Sequence, residues 1–298
     1  SPNLHTMIEQ SSPVAVVTGA NTGIGRATAL HLGTNGFRVI ATVRSRARAD
    51  KLMTRVNELN AEVELVEMDV ADDESVRRAF ESILAATSVD VLVNNAGIGG
   101  NGVVEESDTA QYLESFNVNV LGVVRCTQAV LPGMRARQSG TIINVSSVVG
   151  RLAAIAQSPY VTSKWALEGL SEELAQEVAP FGIRVAIIEP GITRSSIFGK
   201  NVDAPNATGA YDAHYRRMFR FYEVGHRHAS PAEEVAHVIH RAIVTDTPQL
   251  RYPCSWGGQS IVEGREAMSD EAWMRLALDV DDRDYFETFR EHFGIDLT

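Results

Sequence analysis

Pro13-Val14-Ala15-Val16-Val17-Thr18-Gly19-Ala20-Asn21-Thr22-Gly23-Ile24-Gly25 decides the fold. Its first six residues form a short apolar, β-branched run suited to a strand buried on both faces. The run passes straight into a glycine-rich turn, and residues 26–35 then read as a helix stopped by Gly36. Strand, glycine turn and helix start, in that order, make a cradle for phosphate. Glycine permits a tight turn and close backbone approach, and the helix N-terminus offers free N–H groups and the positive end of its dipole.

Outward from this unit the alternation continues. Strands are predicted at 38–43, 63–68, 90–94, 141–145 and 184–189, with a seventh at 249–253 on the sheet edge. Helices are predicted at 47–60, 72–87, 108–134 (bent near Pro132), 159–179 and, opened by Ser230-Pro231 with proline at the first helical position, up to Val244. This predicts an α/β fold: a doubly wound, Rossmann-like parallel sheet of about seven strands, with ligands beyond the strands' carboxyl ends. A single catalytic domain is expected over residues 13–255, with residues 256–298 as a helical extension of it. Residues 1–12 are expected to be a disordered or tag-derived tail, with a true start at Met7.

The pattern lapses over residues 195–229, where Phe198, Tyr211, Tyr215, Phe219, Phe221 and Tyr222 are scattered among polar and basic residues. A segment of this length is either a helical flap packed on its own domain or a lid in contact with substrate. In the extension, Tyr285, Phe286, Phe289 and Phe293 recur at helical spacing, which reads as a packing stripe in preference to a cofactor-facing one.

Composition narrows the function. With 44% hydrophobic and 22% charged residues the chain is an ordinary globular protein, and its formal net charge of −11 argues against nucleic acid as a partner. No apolar run approaches the roughly twenty residues of a membrane span. Cys126 and Cys254 form neither a disulfide framework nor a metal-ligand spacing, so no metal is expected and a reducing cytoplasm is the expected location.

Tyr160-Val161-Thr162-Ser163-Lys164 places a phenol and an ammonium one turn apart on one helix face. A lysine held close favours the phenolate and lowers the tyrosine's pKa, which suits the tyrosine to proton transfer. Alone, such a spacing describes many solvated surface pairs. Here it stands with Thr18 to Gly25, Asp69-Val70, Asn94-Asn95-Ala96-Gly97, Asn119, Ser147 and Pro190-Gly191. In this order and spacing the chain resembles the short-chain dehydrogenase/reductase family, in its single-domain, nicotinamide-dependent branch, over residues 18–195.

The resemblance implies roles for particular residues. Tyr160 is the implied general acid/base, Lys164 its electrostatic partner and a ligand of the nicotinamide ribose, and Ser147 the group that holds the substrate oxygen. Ser146 is adjacent, but the spacing to Tyr160 favours Ser147. Asn119 is implied to hold a water linking Lys164 to solvent. The implied cofactor site comprises Gly19, Asn21, Thr22, Gly23, Ile24 and Gly25, then Asp69 and Val70 at the adenine, then Asn95, Ala96 and Gly97. Pro190, Gly191, Ile192 and Ser195 complete it on the nicotinamide side, with serine at 195 where the family more often carries threonine.

Charge selects between the two nicotinamide cofactors. An acidic residue at the end of the second strand would bind ribose hydroxyls; here Val43 is followed by Arg44, Ser45 and Arg46. A guanidinium offers a planar fork to phosphate, so NADP(H) is expected in preference to NAD(H). Thr42-Val43-Arg44, Leu167-Glu168-Gly169-Leu170 and the aromatic flap are similar to hydroxysteroid and retinol dehydrogenase members. A lipophilic secondary alcohol or ketone, steroid- or polyketide-like, is therefore the expected substrate, while Arg216, Arg217 and Arg220 leave an acidic or phosphorylated one open. An alternative function is a catalytically idle NADP-binding redox sensor, although such regulators tend to lose the tyrosine or the lysine. The family implies a homodimer or homotetramer, and Leu167, Leu170 and Leu174 suit either helix pairing or packing on the sheet.

Overall fold

Strand β1 (Val14–Val17) sends successive side chains into two different cores, as the period of two requires. Ala15 and Val17 join Leu32, Leu52, Val56 and Ile239 on one face of the sheet. Val14 and Val16 join Phe80, Val130, Met134 and Leu174 on the other. A strand covered on both sides in this way belongs to a doubly wound sheet, and each buried valine or isoleucine contributes about 1.5–3 kcal/mol. The structure, a computed structural model, describes residues 12–194, 204–278 and 281–298.

Among the described residues the sheet has seven strands in the order β3-β2-β1-β4-β5-β6-β7, all pairs parallel. The remaining strands are β2 (Arg38–Val43), β3 (Val63–Glu67), β4 (Val91–Asn94), β5 (Gly140–Val145), β6 (Ile183–Pro190) and β7 (Arg251–Cys254). The order reverses between β1 and β4, and ligands of such sheets bind beyond the carboxyl ends at that point. One face carries α1 (Gly23–Gly33), α2 (Asp50–Leu59) and α8 (Ala232–Val244). The other carries α3 (Asp73–Ala86), α5 (Gly122–Arg137) and α6 (Ser158–Val178). Helix α4 (Thr109–Phe116) precedes α5, and α7 (Asp212–His228) precedes α8. Leu167 and Leu174 are buried, so this stripe of α6 packs inward.

A chain of buried side-chain hydrogen bonds crosses the second face. Asn94 Nδ2 donates to Thr127 Oγ1 (3.3 Å) and to Asn144 Oδ1 (2.8 Å), and Asn144 Nδ2 donates to Ser171 Oγ (2.8 Å). Polar groups in a core are tolerated when they satisfy one another, and these link α5, β4, β5 and α6.

Local chemistry explains several helix ends. Asp72 caps α3 by accepting from Ser75 N, Asp108 forms a capping box with Gln111 at α4, and α2 ends where Asn60 turns left-handed (φ 49°). Several boundaries differ from the sequence pattern. Residues 46–48 form a separate 3₁₀ turn before α2. At α8 the proline stands one position earlier than expected: Pro231 is the N-cap and Ala232 the first helical residue. The stretch predicted as one helix over 108–134 departs from α geometry at Asn117–Leu121, a π turn, and continues through Pro132 inside α5. The cause lies in Asn119, whose side chain is pulled out of line by bonds to a neighbouring loop.

The flap contains α7, an amphipathic helix with Tyr215 and Met218 buried. In the extension, α9 (Gly258–Ala267), α10 (Asp270–Leu276) and α11 (Asp282–Phe293) build a third apolar core. Tyr285, Phe289 and Phe293 pack there against Val148, Val149 and Leu152, beside the loop that follows β5.

Where α1 meets α8, three histidines converge. His31 Nε2 lies 2.8 Å from His240 Nδ1, and the His31 and His237 rings are 4.5 Å apart. Burial first, then His237 and His240, hold His31 down to about 4. The folded state therefore favours the neutral ring, while the unfolded chain takes up a proton near 6.5. This contribution to stability is complete above pH 6.5 and is lost as pH falls toward 4. In thermal unfolding across that window, His31→Asn should show a shallower loss of Tm than the parent. Parallel curves would refute the assignment.

Candidate active site

The turn after β1 and the turn after β4 interlock. Thr18 Oγ1 accepts from Asn95 N and Ala96 N, both at 3.0 Å. Asn95 Nδ2 donates back to the carbonyls of Thr18 (3.0 Å) and Gly19 (3.3 Å). Gly19 has φ +63°, and a Cβ there would stand 2.8 Å from Ala96 Cα. A Cβ on Gly25 would collide with the Gly19 carbonyl and Asn95 Nδ2. Both positions therefore exclude side chains. Thr22, the N-cap of α1, places no side-chain cap on the helix, and Asn21 Oδ1 is buried without a hydrogen-bond partner among the described residues. An uncapped helix start beside an orphaned polar atom fits a phosphate-bearing ligand.

The other predicted cofactor residues follow the carboxyl ends of their strands. Arg44 is exposed beyond β2, followed by Ser45, and no hydrogen bond or ion pair engages the Arg44 guanidinium among the described residues. Arg46 is committed elsewhere, donating from Nη2 to Leu65 O (2.7 Å). Asp69 Oδ1 accepts from Ala71 N (3.0 Å), which shapes the turn carrying buried Val70. Ile24, Asn95, Gly97, Pro190, Gly191 and Ile192 line one cleft with Ser147, Tyr160 and Lys164. Ser195 lies outside the described residues.

Helix α6 positions Tyr160 and Lys164. Lys164 is buried, its Nζ donating to Val145 O (3.0 Å) and standing 5.7 Å from the Tyr160 ring centroid. Ser147, just beyond the end of β5, accepts from Val149 N (3.3 Å), donates to Pro190 O (3.4 Å) and lines the same cleft as Tyr160. In the protein alone, burial outweighs the expected depression of the tyrosine. Burial pushes Tyr160 up to about 12, against the pull of Ser147, and pulls Lys164 down to about 8, against the support of Glu168. Low dielectric disfavours both charged forms, and the lysine reaches the tyrosine across its ring.

Asn119 also departs from expectation. Its Oδ1 accepts from Ile98 N (2.8 Å) and its Nδ2 donates to Ile98 O and Ser163 Oγ (both 2.9 Å), so the side chain is fully engaged with protein. It clamps the loop after β4 to α6.

Several site features were not anticipated from sequence. Glu189, fully buried before Pro190, meets Arg151 Nη1 (3.0 Å) and Arg251 Nε (3.4 Å), and Arg251 also meets Glu168 (3.0 Å). Burial and Glu168 push Glu189 up to about 7. The i,i+4 spacing of Lys164 and Glu168 was the available signal; the position of Glu189 at a strand end carried none. Ile261, likewise not anticipated, walls the cleft together with Phe221 and Tyr222, two of the flap aromatics named above. The cleft shares Leu152, Ala154, Gln157, Phe221 and Ile261 with a larger apolar chamber of about 400 Å³, walled by α7 and the extension. The flap arginines are paired: Arg216 and Arg217 with Asp282 (2.5 and 2.8 Å), Arg220 with Glu223 (2.8 Å).

A phosphate cradle at the switch point of a parallel sheet, facing a tyrosine, a lysine and a serine, defines a nicotinamide-dependent oxidoreductase. The chain belongs to the short-chain dehydrogenase family, whose family model matches residues 13–206. It is 35% identical to 17-beta-hydroxysteroid dehydrogenase type 1 of Mus musculus over 250 residues, covering 80% of this chain and 72% of that one. A short-chain dehydrogenase from Streptomyces avermitilis has a similar structure, with TM-score 0.79 and 34% identity over 91% of this chain and 99% of that one. The actinorhodin polyketide ketoreductase solved with NADPH has TM-score 0.68 and 29% identity, covering 78% and 90% of the respective chains.

The packing around Gly25 yields a direct expectation. Gly25→Ala should destabilise the fold by about 1–3 kcal/mol through overpacking and weaken nicotinamide cofactor binding. Thermal unfolding with and without cofactor measures both; an unchanged Tm would show that the interlock has slack.

Proposed function

We propose that this protein interconverts a lipophilic secondary alcohol and its ketone with NADP(H). The observation that carries the reading is the position of Tyr160, Ser147 and Lys164 in a cleft that shares five wall residues with a mostly apolar chamber. The bound nicotinamide supplies or accepts the hydride at the reacting carbon. In reduction, Ser147 and Tyr160 hydrogen-bond the substrate oxygen, and Tyr160 gives it a proton as negative charge develops. Lys164 holds positive charge beside the phenol and so favours the tyrosinate that is left. Oxidation runs the same transfers in reverse. Asn119 positions the loop with its side chain, leaving its peptide carbonyl to hold the water that returns protons through Lys164.

The guanidinium of Arg44, exposed beyond β2 and unpaired among the described residues, supports NADP(H), since it offers a planar fork to a 2′-phosphate. The pairing of Arg216, Arg217 and Arg220 weighs against an acidic or phosphorylated substrate. Nothing in the site favours an idle regulator. A homodimer is supported by exposed apolar side chains on neighbouring helices: Leu113 (72% exposed) and Phe116 on α4, and Trp165 on α6.

Oxidation of NADPH with a panel of apolar ketones tests the reading. Tyr160→Phe should lower kcat by about 10²–10⁴-fold. Arg44→Asp should shift preference from NADPH toward NADH by roughly ten- to a hundredfold. Turnover confined to small sugars overturns the lipophilic substrate, and a parent that prefers NADH overturns the cofactor assignment. For assembly, Leu113→Arg with Trp165→Glu should give monomers by light scattering where the parent gives dimers; a monomeric parent refutes the pairing.

A further inference from the structure

Two clamps hold the π turn at Asn117–Leu121, and the chemistry at Tyr160 accounts for only one of them. The first is Asn119, which binds Ile98 and Ser163; Ser163 Oγ in turn donates to the Tyr160 carbonyl (2.8 Å). The second is Arg125, half-buried in the first turn of α5. Its Nη1 donates to Asn117 O (3.2 Å), the carbonyl that also accepts the Gly122 N–H across the π turn, and its Nη2 donates to Asn117 Oδ1 (2.8 Å). The same guanidinium reaches the far side of the loop after β3, donating from Nη1 to Val70 O (3.0 Å) and from Nε to Asp73. Asn117 Nδ2 adds a bond to Ala71 O (3.1 Å), and a Cβ on Gly122 would stand only 3.0 Å from Val70 Cβ. All three guanidinium nitrogens are thus engaged in joining the loop after β3 to the π turn.

In a sheet of this strand order a dinucleotide crosses the carboxyl ends on both sides of the switch point, with its phosphates at the start of α1. Arg44 beyond β2 marks the adenosine side, next to the end of β3, and Tyr160 marks the nicotinamide side. Resting on the NADP(H) reading above, we propose that Arg125 is a positioning residue, which makes the π turn a bridge through which adenosine held on the loop after β3 sets the place of Tyr160. Binding energy from the non-reacting end of a cofactor raises kcat only when it is spent on orienting the reacting groups. Here a run of hydrogen bonds supplies the connection, from the loop after β3 through Arg125 and Asn117 to the π turn, then through Asn119 and Ser163 to Tyr160. Two residues apart on a helical turn, Asn117 and Asn119 point to different sides, so each bonds a different loop. An arginine suits the junction because its planar fork bonds both partners at once in fixed geometry, which a lysine cannot do.

The test uses adenosine 2′,5′-bisphosphate, the adenosine half of NADPH, and reduced nicotinamide mononucleotide, the other half. Binding of the bisphosphate is measured by calorimetry and by competition with NADPH, and amide hydrogen exchange is followed over residues 158–164, the start of α6, with the bisphosphate alone bound. In the parent it should slow that exchange by about fivefold, the lower end of ordinary coupling between sites. Arg125→Met should bind the bisphosphate with affinity close to the parent's, yet show no slowing over 158–164. Asn117→Asp, which keeps an acceptor for Arg125 and loses the bond to Ala71 O, should retain part of the effect. The bisphosphate should also raise kcat for the mononucleotide with an apolar ketone in the parent, and not in Arg125→Met. Bisphosphate that binds the parent without slowing exchange over 158–164, or without raising kcat, overturns the bridge and leaves the NADP(H) reading intact; this arm needs no variant to fold. Equal slowing in the parent and Arg125→Met also overturns it, by routing the coupling elsewhere, and lost bisphosphate binding in Arg125→Met does so by making Arg125 a structural support of the loop. A parent that binds neither the bisphosphate nor NADPH overturns the bridge together with the NADP(H) reading.

Discussion

The side chain of Asn95 holds the site together. It crosses from the turn after β4 to the carbonyls of Thr18 and Gly19, while Thr18 returns two bonds from the β1 side. Four bonds between two turns leave no room for a Cβ at Gly19 or Gly25. The start of α1 is thereby set at one height above the sheet, and with it the direction in which its N–H groups point. Behind this junction the amides of Asn94 and Asn144 connect the same strands to Thr127 and Ser171. The phosphate cradle and the helix bearing Tyr160 are thus parts of one hydrogen-bonded frame, which gives the site the preorganisation that charge stabilisation needs.

Within that frame, burial decides the resting charge state. A free tyrosine and a free lysine titrate at nearly the same pH; here burial separates them to about 12 and about 8. The phenol keeps its proton at neutral pH, and the lysine keeps its charge with help from Glu168, one turn away. Glu168 and Glu189 in turn rest on Arg151 and Arg251. An acid ready to donate and a cation ready to receive the resulting anion are what a carbonyl reduction requires.

Much of this was legible in the sequence because the signals are local. The glycine turn, the alternating strands and the Tyr160–Lys164 spacing each depend on residues within a few positions of one another. Non-local features were not legible. The chamber joins residues near 152–157, 214–221 and 273–297, which no periodicity connects. Glu189 looks like the exposed end of a strand until Arg151 and Arg251 arrive from elsewhere. Asn119 was recognised by its neighbours in sequence order, but its bonds to Ile98 and Ser163, and the π turn they impose, depend on how the loop after β4 lies against α6. The flap helix was obscured because its polar face dominates its composition, while buried Arg217 stands where an apolar residue is expected.

The chamber's construction has an evolutionary consequence. The turns that line the cleft beside Tyr160 come mostly from residues 24–98 and 145–193, whereas most of the chamber wall comes from residues after 213. The chamber walls pack through apolar side chains, while polar bonds such as Val103 N to Tyr215 Oη, Tyr222 Oη to Asn101 and Arg151 to Glu266 tie the later segment to the earlier one around them. Apolar walls tolerate exchange of side chains when volume is preserved, and hydrogen-bonded junctions do not. The apolar wall side chains of the later third can therefore diverge toward new molecules under weak constraint, while the hydrogen-bonded junctions around them stay bound to one chemistry.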